Sequence, residues 1–175
     1  MNPSSLILRR ETAQGTLASA RLGQAGHTHL KFHLGIQTPA VMATRHIQEA
    51  ITVPVQRVSP MPNMPPCMLG LINRRSRVIW VADMALLLGL TVAQTLSHQY
   101  NLILLQVGAV SLALRVHEID GILSISPEMI QPPPAHIPAA LVPYLQGCIL
   151  QPAEVLLALN AEAIVQSSAL QIHSV

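Results

Sequence analysis

Apolar and polar positions alternate strictly from residue 27 to 34: Leu30, Phe32 and Leu34 fall on one side, His27, His29, Lys31 and His33 on the other. Such a period of two predicts a strand with one face in the core and the other in water. Residues 35–38 then turn the chain, and a partner strand beginning at 39–43 is expected to run on into RHIQEAI. Residues 61–90 carry the densest apolar pattern. Leu69, Leu71 and Ile72 lead into a polar break and Val78, Ile79, Trp80 and Val81 lead out of it. These near-continuous runs predict a hairpin of strands buried on both faces, with Asn73, Arg74, Arg75, Ser76 and Arg77 as its exposed tip. Asp83 is placed to cap a short helix over MALLLG, and Gly89 to end it.

After a polar loop at 91–99, NLILLQV, AVSLALRV and EIDGILSI read as three strands, with a reversal at Val107 and Gly108 and room for a bulge at Gly121. The prolines of residues 131–143 cannot join a central strand and predict an extended loop. YLQGCILQ and EVLLALN form a last hairpin, and AEAIVQSSAL a terminal helix capped by Asn160. Residues 1–26 show no sustained period and read as a tail with a helical turn at 17–22, leaving 27–175 as the folded domain. The pattern amounts to about eight to ten short strands, an all-β chain.

Composition narrows the function. In 175 residues, 50% are hydrophobic and only 10% charged, which excludes a disordered chain and favours an apolar contact surface beyond the core. Ten basic against eight acidic residues leave a net charge of +2, and with 2% aromatics there is neither a basic field nor a stacking platform for nucleic acid. Nine of the ten bases are arginine, the residue suited to forked carboxylate contacts. Cys67 and Cys148 stand far apart without a CxxC pattern and read as packing thiols. The N-terminus lacks the order of a signal peptide and no segment has the length of a membrane span, so the expected location is cytoplasmic.

Candidate chemistry is sparse. His27, His29 and His33 share a strand face at a spacing a metal site could use, but Lys31 lies among them, and a solvated face is the simpler reading; no metal or cofactor is expected. No nucleophile elbow, phosphate-binding glycine loop or paired carboxylates at helical spacing occur. Gly70, inside an apolar strand, either packs or bulges locally or admits another backbone. Arg75 by itself reads as a solvated hairpin tip.

One stretch is more specific. Pro65, Pro66, Leu69, Gly70, Ile72, Asn73, Arg75, Val78, Ile79, Val81, Asp83, Leu88, Gly89 and Leu90 resemble the signature of the CheW family. These are scaffold proteins coupling a CheA-type histidine kinase to chemoreceptors. Ser76 stands where the family has glycine and Trp80 where it usually has proline. A second match runs through Leu114, Val116, Ile119, Gly121, Ile122 and Leu123, and the resemblance covers roughly residues 29 to 168.

The resemblance implies two interlocked five-stranded SH3-like barrels and a non-enzymatic adaptor. Its implied partners are the regulatory domain of a CheA-type kinase and the tip of a chemoreceptor or photoreceptor-type receptor, with no nucleic acid and no membrane insertion. It also implies that Ile47, Glu49, Gly70, Asn73 and Arg75 lie in the kinase- and receptor-binding region, with Glu49 and Arg75 close together. The departures suggest a specialised member serving pilus-based or light-directed motility. The rival readings are a small β-barrel nucleic-acid binder, which needs arginines clustered on one face, and a hydrolase using Cys67 or Cys148 with a histidine, which needs an exposed, activated thiol.

Overall fold

A computed structural model describes residues 26–91 and 97–170. The tail with its turn at 17–22, the middle of the polar loop and the last five residues lie outside the described residues. Ten strands are described: β1 (His27–His33), β2 (Pro39–Ala43), β3 (Ile47–Pro54), β4 (Met68–Arg74), β5 (Arg77–Asp83), β6 (Gln99–Val107), β7 (Val110–Val116), β8 (Glu118–Ile125), β9 (Leu145–Leu150) and β10 (Val155–Leu159). They form two five-stranded sheets in the orders β3-β6-β7-β5-β4 and β8-β1-β2-β10-β9, each curled into an SH3-like barrel. We call these barrel I and barrel II. Barrel II takes two strands from the start of the chain and three from its end, so the barrels interlock.

Both barrels follow one plan, register by register. Across barrel I, Glu49, Leu104, Ala113, Val81 and Gly70 stand side by side; across barrel II the same row is Gly121, Lys31, Val41, Ala158 and Gly147. The pairing is parallel at β5–β7 and at β10–β2 and antiparallel elsewhere. One residue bulges at the same point of each first strand, Gln48 in β3 and Asp120 beside Gly121 in β8. Each barrel is completed where a segment following its first strand pairs with the opposite edge, Ser59 with Leu71 and Gln131 with Cys148. The glycine beside each bridge, Gly70 (φ 140°) or Gly147 (φ 156°), allows that approach, because a Cβ would be driven into the carbonyl of Ser59 or Gln131. The backbone that Gly70 admits is thus one of this chain's own.

A capped helical turn follows the second hairpin strand in both barrels. The Asp83 carboxylate accepts from the Leu86 amide (3.0 Å) at α1 (Met84–Leu87), and the Asn160 side-chain oxygen accepts from the Ala163 amide (3.1 Å) at α2 (Ala161–Val165). Both caps are where the sequence puts them. The terminal helix is shorter than expected: it stops at Val165, and a separate 3-10 turn takes up Ser168–Leu170.

Apolar residues fill three spaces. Phe32, Met42, Met84, Ile103, Leu114 and Leu159 belong to a shared core between the barrels. Leu102 and Leu104 lead the interior of barrel I, together with Ile72, Ile79 and Val81. The interior of barrel II is a smaller group around Val41, Ile125, Ile149 and Leu156.

Four further expectations change. The strand at 39–43 does not run on into RHIQEAI; a 3-10 turn at Thr44–His46 carries the chain from barrel II to barrel I, where β3 begins. The histidine face of β1 is only partly solvated: His27 is exposed, but Lys31 and His33 are half-buried. It points into barrel II while Leu30 and Phe32 face the shared core, and His29 is only 4% exposed, its Nδ1 donating to the His27 carbonyl at 2.8 Å. The central hairpin is buried on both faces only at Val81–Asp83 within β5. As an edge strand β4 leaves Met68, Leu69 and Leu71 half-buried, and Val78 is 67% exposed. The tip is also narrower than expected: Asn73 and Arg74 still pair with Val78 and Arg77, and only Arg75 and Ser76 make the turn.

Candidate docking surface

Strands β3 and β4 are the two edges of barrel I. The seam between them is joined at one end by Ser59 and Leu71, whose amides donate to each other's carbonyls at 2.8 and 2.9 Å. The other end is joined by side chains. Alternation puts Glu49, Ile51 and Val53 on the inward side of β3, and Ile72 and Arg74 on the inward side of β4. Glu49 and Arg74 therefore end their respective inward rows at the mouth of the barrel. The Arg74 guanidinium grips the carboxylate as a fork, Nε to Oε1 at 3.0 Å and Nη2 to Oε2 at 2.8 Å, while Arg75 adds one longer contact, Nη2 to Oε2 at 3.3 Å. The hydrogen bond from Arg74 holds the Glu49 carboxyl below the usual carboxylate range, and Glu49 in turn raises the Arg74 guanidinium above its ordinary value.

Of the residues expected at the site, the structure brings Glu49 and Arg75 together, with Arg74 as the closer partner. Asn73 is exposed on the neighbouring ladder position. Ile47 is half-buried against the shared core, and Gly70 lies farther along β4 under Ser59. Arg74 was legible as part of the tip but not of the site. Counting inward positions Gly70, Ile72, Arg74 along the strand would have singled it out.

Beside this corner the outer face of barrel I carries an apolar ledge. The parallel ladder pairs Trp80 with Leu112, and two residues back along each strand Val78 and Val110 are 67% and 48% exposed. The mouth of barrel II differs. Lys31 reaches from the inside to the Glu154 carboxylate at 2.5 Å and lies 3.6 Å from Asp120, which also takes His33 Nε2 at 3.2 Å. The hydrogen bond to Glu154 raises the Lys31 ammonium above its ordinary value against the opposing effect of burial. A groove of about 410 Å³ beside it is walled by Thr38, Val155 and Leu157 and by Ile137, Pro138 and Leu141 of the proline-rich segment.

Among the described residues no group of three or more His, Cys, Asp or Glu side chains converges as a metal site, and no helix is long and apolar enough to cross a membrane. Cys67 and Cys148 are buried, and burial pushes both thiols up, the reverse of what a nucleophilic cysteine requires. Arg74 is committed to Glu49, which leaves Arg75 and Arg77 as the exposed bases of the tip.

The CheW-like domain family model matches residues 28–169. Chemotaxis protein CheW of Rhizobium meliloti (strain 1021) is 33% identical over 121 residues, which span 68% of this chain and 74% of that one. The scaffolding protein TtCheW from Thermoanaerobacter tengcongensis superposes with a TM-score of 0.70 at 15% identity, covering 82% of this chain and 95% of that one, a likeness of fold. The twin barrels and the matched span lead to one assignment: the chain belongs to the CheW-like family of non-enzymatic chemotaxis scaffolds.

Proposed function

We propose that this protein is a cytoplasmic adaptor that couples a CheA-type histidine kinase to the tip of a chemoreceptor-like sensor, docking through the corner of barrel I formed by Ile47, Glu49, Asn73 and Arg75. Gly70 serves the same surface indirectly, by letting the Ser59 segment join the seam. The observation that carries this reading is the pairing, at one barrel mouth, of an anchored carboxylate with an adjoining bare apolar ledge at Val78 and Val110. An apolar centre with a charged rim is the anatomy of a protein interface, the centre excluding water and the rim setting orientation. The departures at Ser76 and Trp80 lie within or beside this surface and would tune partner choice, as in a member serving pilus-based or light-directed motility.

The test is calorimetric binding of the purified chain to the regulatory domain of the CheA-type kinase encoded in the same genome, and to the matching receptor tip. Wild type should bind at least one of them, and Glu49→Arg should bind about tenfold or more weakly with its melting curve little changed. A Glu49→Arg protein that bound both partners like wild type would remove the corner from the interface.

A further inference from the structure

Two arginines share one carboxylate at this corner, and they are not equivalent. Arg74 sits in the β4 ladder opposite Arg77, so its backbone is held by sheet hydrogen bonds. Its guanidinium makes the forked contact to Glu49, and its side chain is 39% exposed. Arg75 occupies the turn, with φ of 49°, its side chain 77% exposed and its single contact the longest of the three. A fork fixes both the distance and the plane of a carboxylate, whereas one long contact from an exposed side chain fixes neither. Barrel II has no such clamp: register places Gly121 and Gln151 where barrel I has Glu49 and Arg74.

From this geometry we infer that Arg74 is the positioning residue of the docking corner: it locks the Glu49 carboxylate at the barrel mouth and so limits Arg75 to one long contact, leaving most of its exposed guanidinium to meet the partner. The inference rests on the reading of this corner as the docking surface and adds a division of labour to it. Without Arg74, Glu49 would be free to swing to Arg75 and tighten that one long contact, and both charges presented to a partner would change place although neither residue had been altered. Arg74 therefore acts on binding through another residue.

Two charge-exchange cycles on the full chain separate the roles, read as affinity for the kinase regulatory domain with melting curves as the control. Glu49→Arg and Arg74→Glu should each weaken binding about tenfold, and the double exchange should recover most of that loss. Glu49→Arg combined with Arg75→Glu should recover none. Arg74→Lys, which keeps the charge and loses the fork, should still bind about three- to fivefold more weakly, and Arg74→Gln more weakly again. The inference is overturned if rescue appears in the 49/75 cycle instead, if both cycles are additive, or if Arg74→Lys binds like wild type. Should the wild-type chain bind neither the kinase domain nor the receptor tip, the proposed function itself fails and this inference with it, an outcome distinct from the other three.

Discussion

The inward face of β6 in barrel I presents Leu102 and Leu104; at the same two positions in barrel II, β1 presents His29 and Lys31. One scaffold has thus been closed in two ways. In barrel I the charges at this mouth come from the edges, Glu49 on one and Arg74 on the other, while Arg115 of the middle strand pairs with Asp83 and lies over the Tyr100 ring. In barrel II the cation comes from the middle strand, its stem crossing the interior and its ammonium reaching Asp120 and Glu154 at the mouth. That leaves fewer apolar side chains inside, consistent with the smaller group around Ile149 and Leu156. The outer faces differ as well. Val78 and Val110 of barrel I are bare, whereas Val155 and Thr38, at the same register in barrel II, face the proline-rich segment across a groove. At this register barrel I leaves its outer face open and barrel II covers it, although barrel II bares Ile122 and Leu150 elsewhere.

Exchanging the two residues should break the comparison most severely. Leu104→Lys would place an ammonium in a packed interior where the neighbouring carboxylate, Glu49, is already forked by Arg74, a loss of about 4 kcal/mol or more. Lys31→Leu should cost only about 1–2 kcal/mol, because the carboxylates it abandons are partly solvated, and adding Asp120→Asn and Glu154→Gln should restore much of that loss. Urea midpoints at constant slope measure both. Equal losses would mean the two interiors are not different environments. The pH dependence has opposite signs at the two mouths. Lys31 has its folded pKa raised above 10.5, so its contribution is complete below that value and disappears as pH rises through the folded pKa. Glu49 has its folded pKa lowered, so its contribution is present above 4.5 and disappears as pH falls through the folded value. On the alkaline side, the deficit of Lys31→Leu should therefore shrink only in strong alkali.

The next largest effect tests what the barrels have in common. Gly70→Ala and Gly147→Ala each combine a backbone conformation that L-residues rarely adopt with a Cβ driven into a backbone carbonyl, and each should cost about 3 kcal/mol. Gly121→Ala has the first problem (φ 148°) without the second, since nothing lies within 4 Å of its added Cβ, and should cost about 1 kcal/mol. Thermal and urea unfolding of the three variants would separate strain from collision. If Gly70→Ala were as mild as Gly121→Ala, the Ser59 bridge would not be what joins the seam.

Much of this architecture was legible in the sequence, because strand periodicity and helix caps are local signals. The hairpin around residue 75, the three strands of residues 99–125 and the caps at Asp83 and Asn160 all depend on neighbours in the chain. What was not legible depended on the second face of a strand. Alternation along β1 separates two faces but does not say that both are enclosed, so His29 and Lys31 looked like surface residues until the second barrel was seen around them. The site shows the same limit. The resemblance implied proximity of Glu49 and Arg75, and the structure has it, but the choice of Arg74 for the fork follows from which side of β4 faces the mouth. Trp80 in place of the family's proline is accommodated readily: in β5, between β4 and β7, it takes its place in both ladders and half-buries its ring against the shared core.

The smallest expected effect concerns the connection each barrel makes between its hairpin strands. In barrel II four residues, 151–154, are spanned by a hydrogen bond from the Gln151 amide to the Glu154 carbonyl at 2.9 Å. In barrel I only Arg75 and Ser76 intervene, both with positive φ, 49° and 63°, as a tight two-residue hairpin requires. Serine in that conformation costs about 1 kcal/mol from its Cβ, and glycine would relieve this while losing about half as much through its freer unfolded chain. Ser76→Gly should then stabilise by about 0.5 kcal/mol and raise the melting temperature by about 1–2 °C. Because Arg74 is held by the ladder and not by the turn, the fork on Glu49 should survive and partner affinity should stay within about twofold. A stabilised variant with unchanged affinity would separate the turn from the clamp; a stabilised variant that lost affinity would mean that Ser76 sets the direction of Arg75, and the turn would then belong to the docking surface along with the fork.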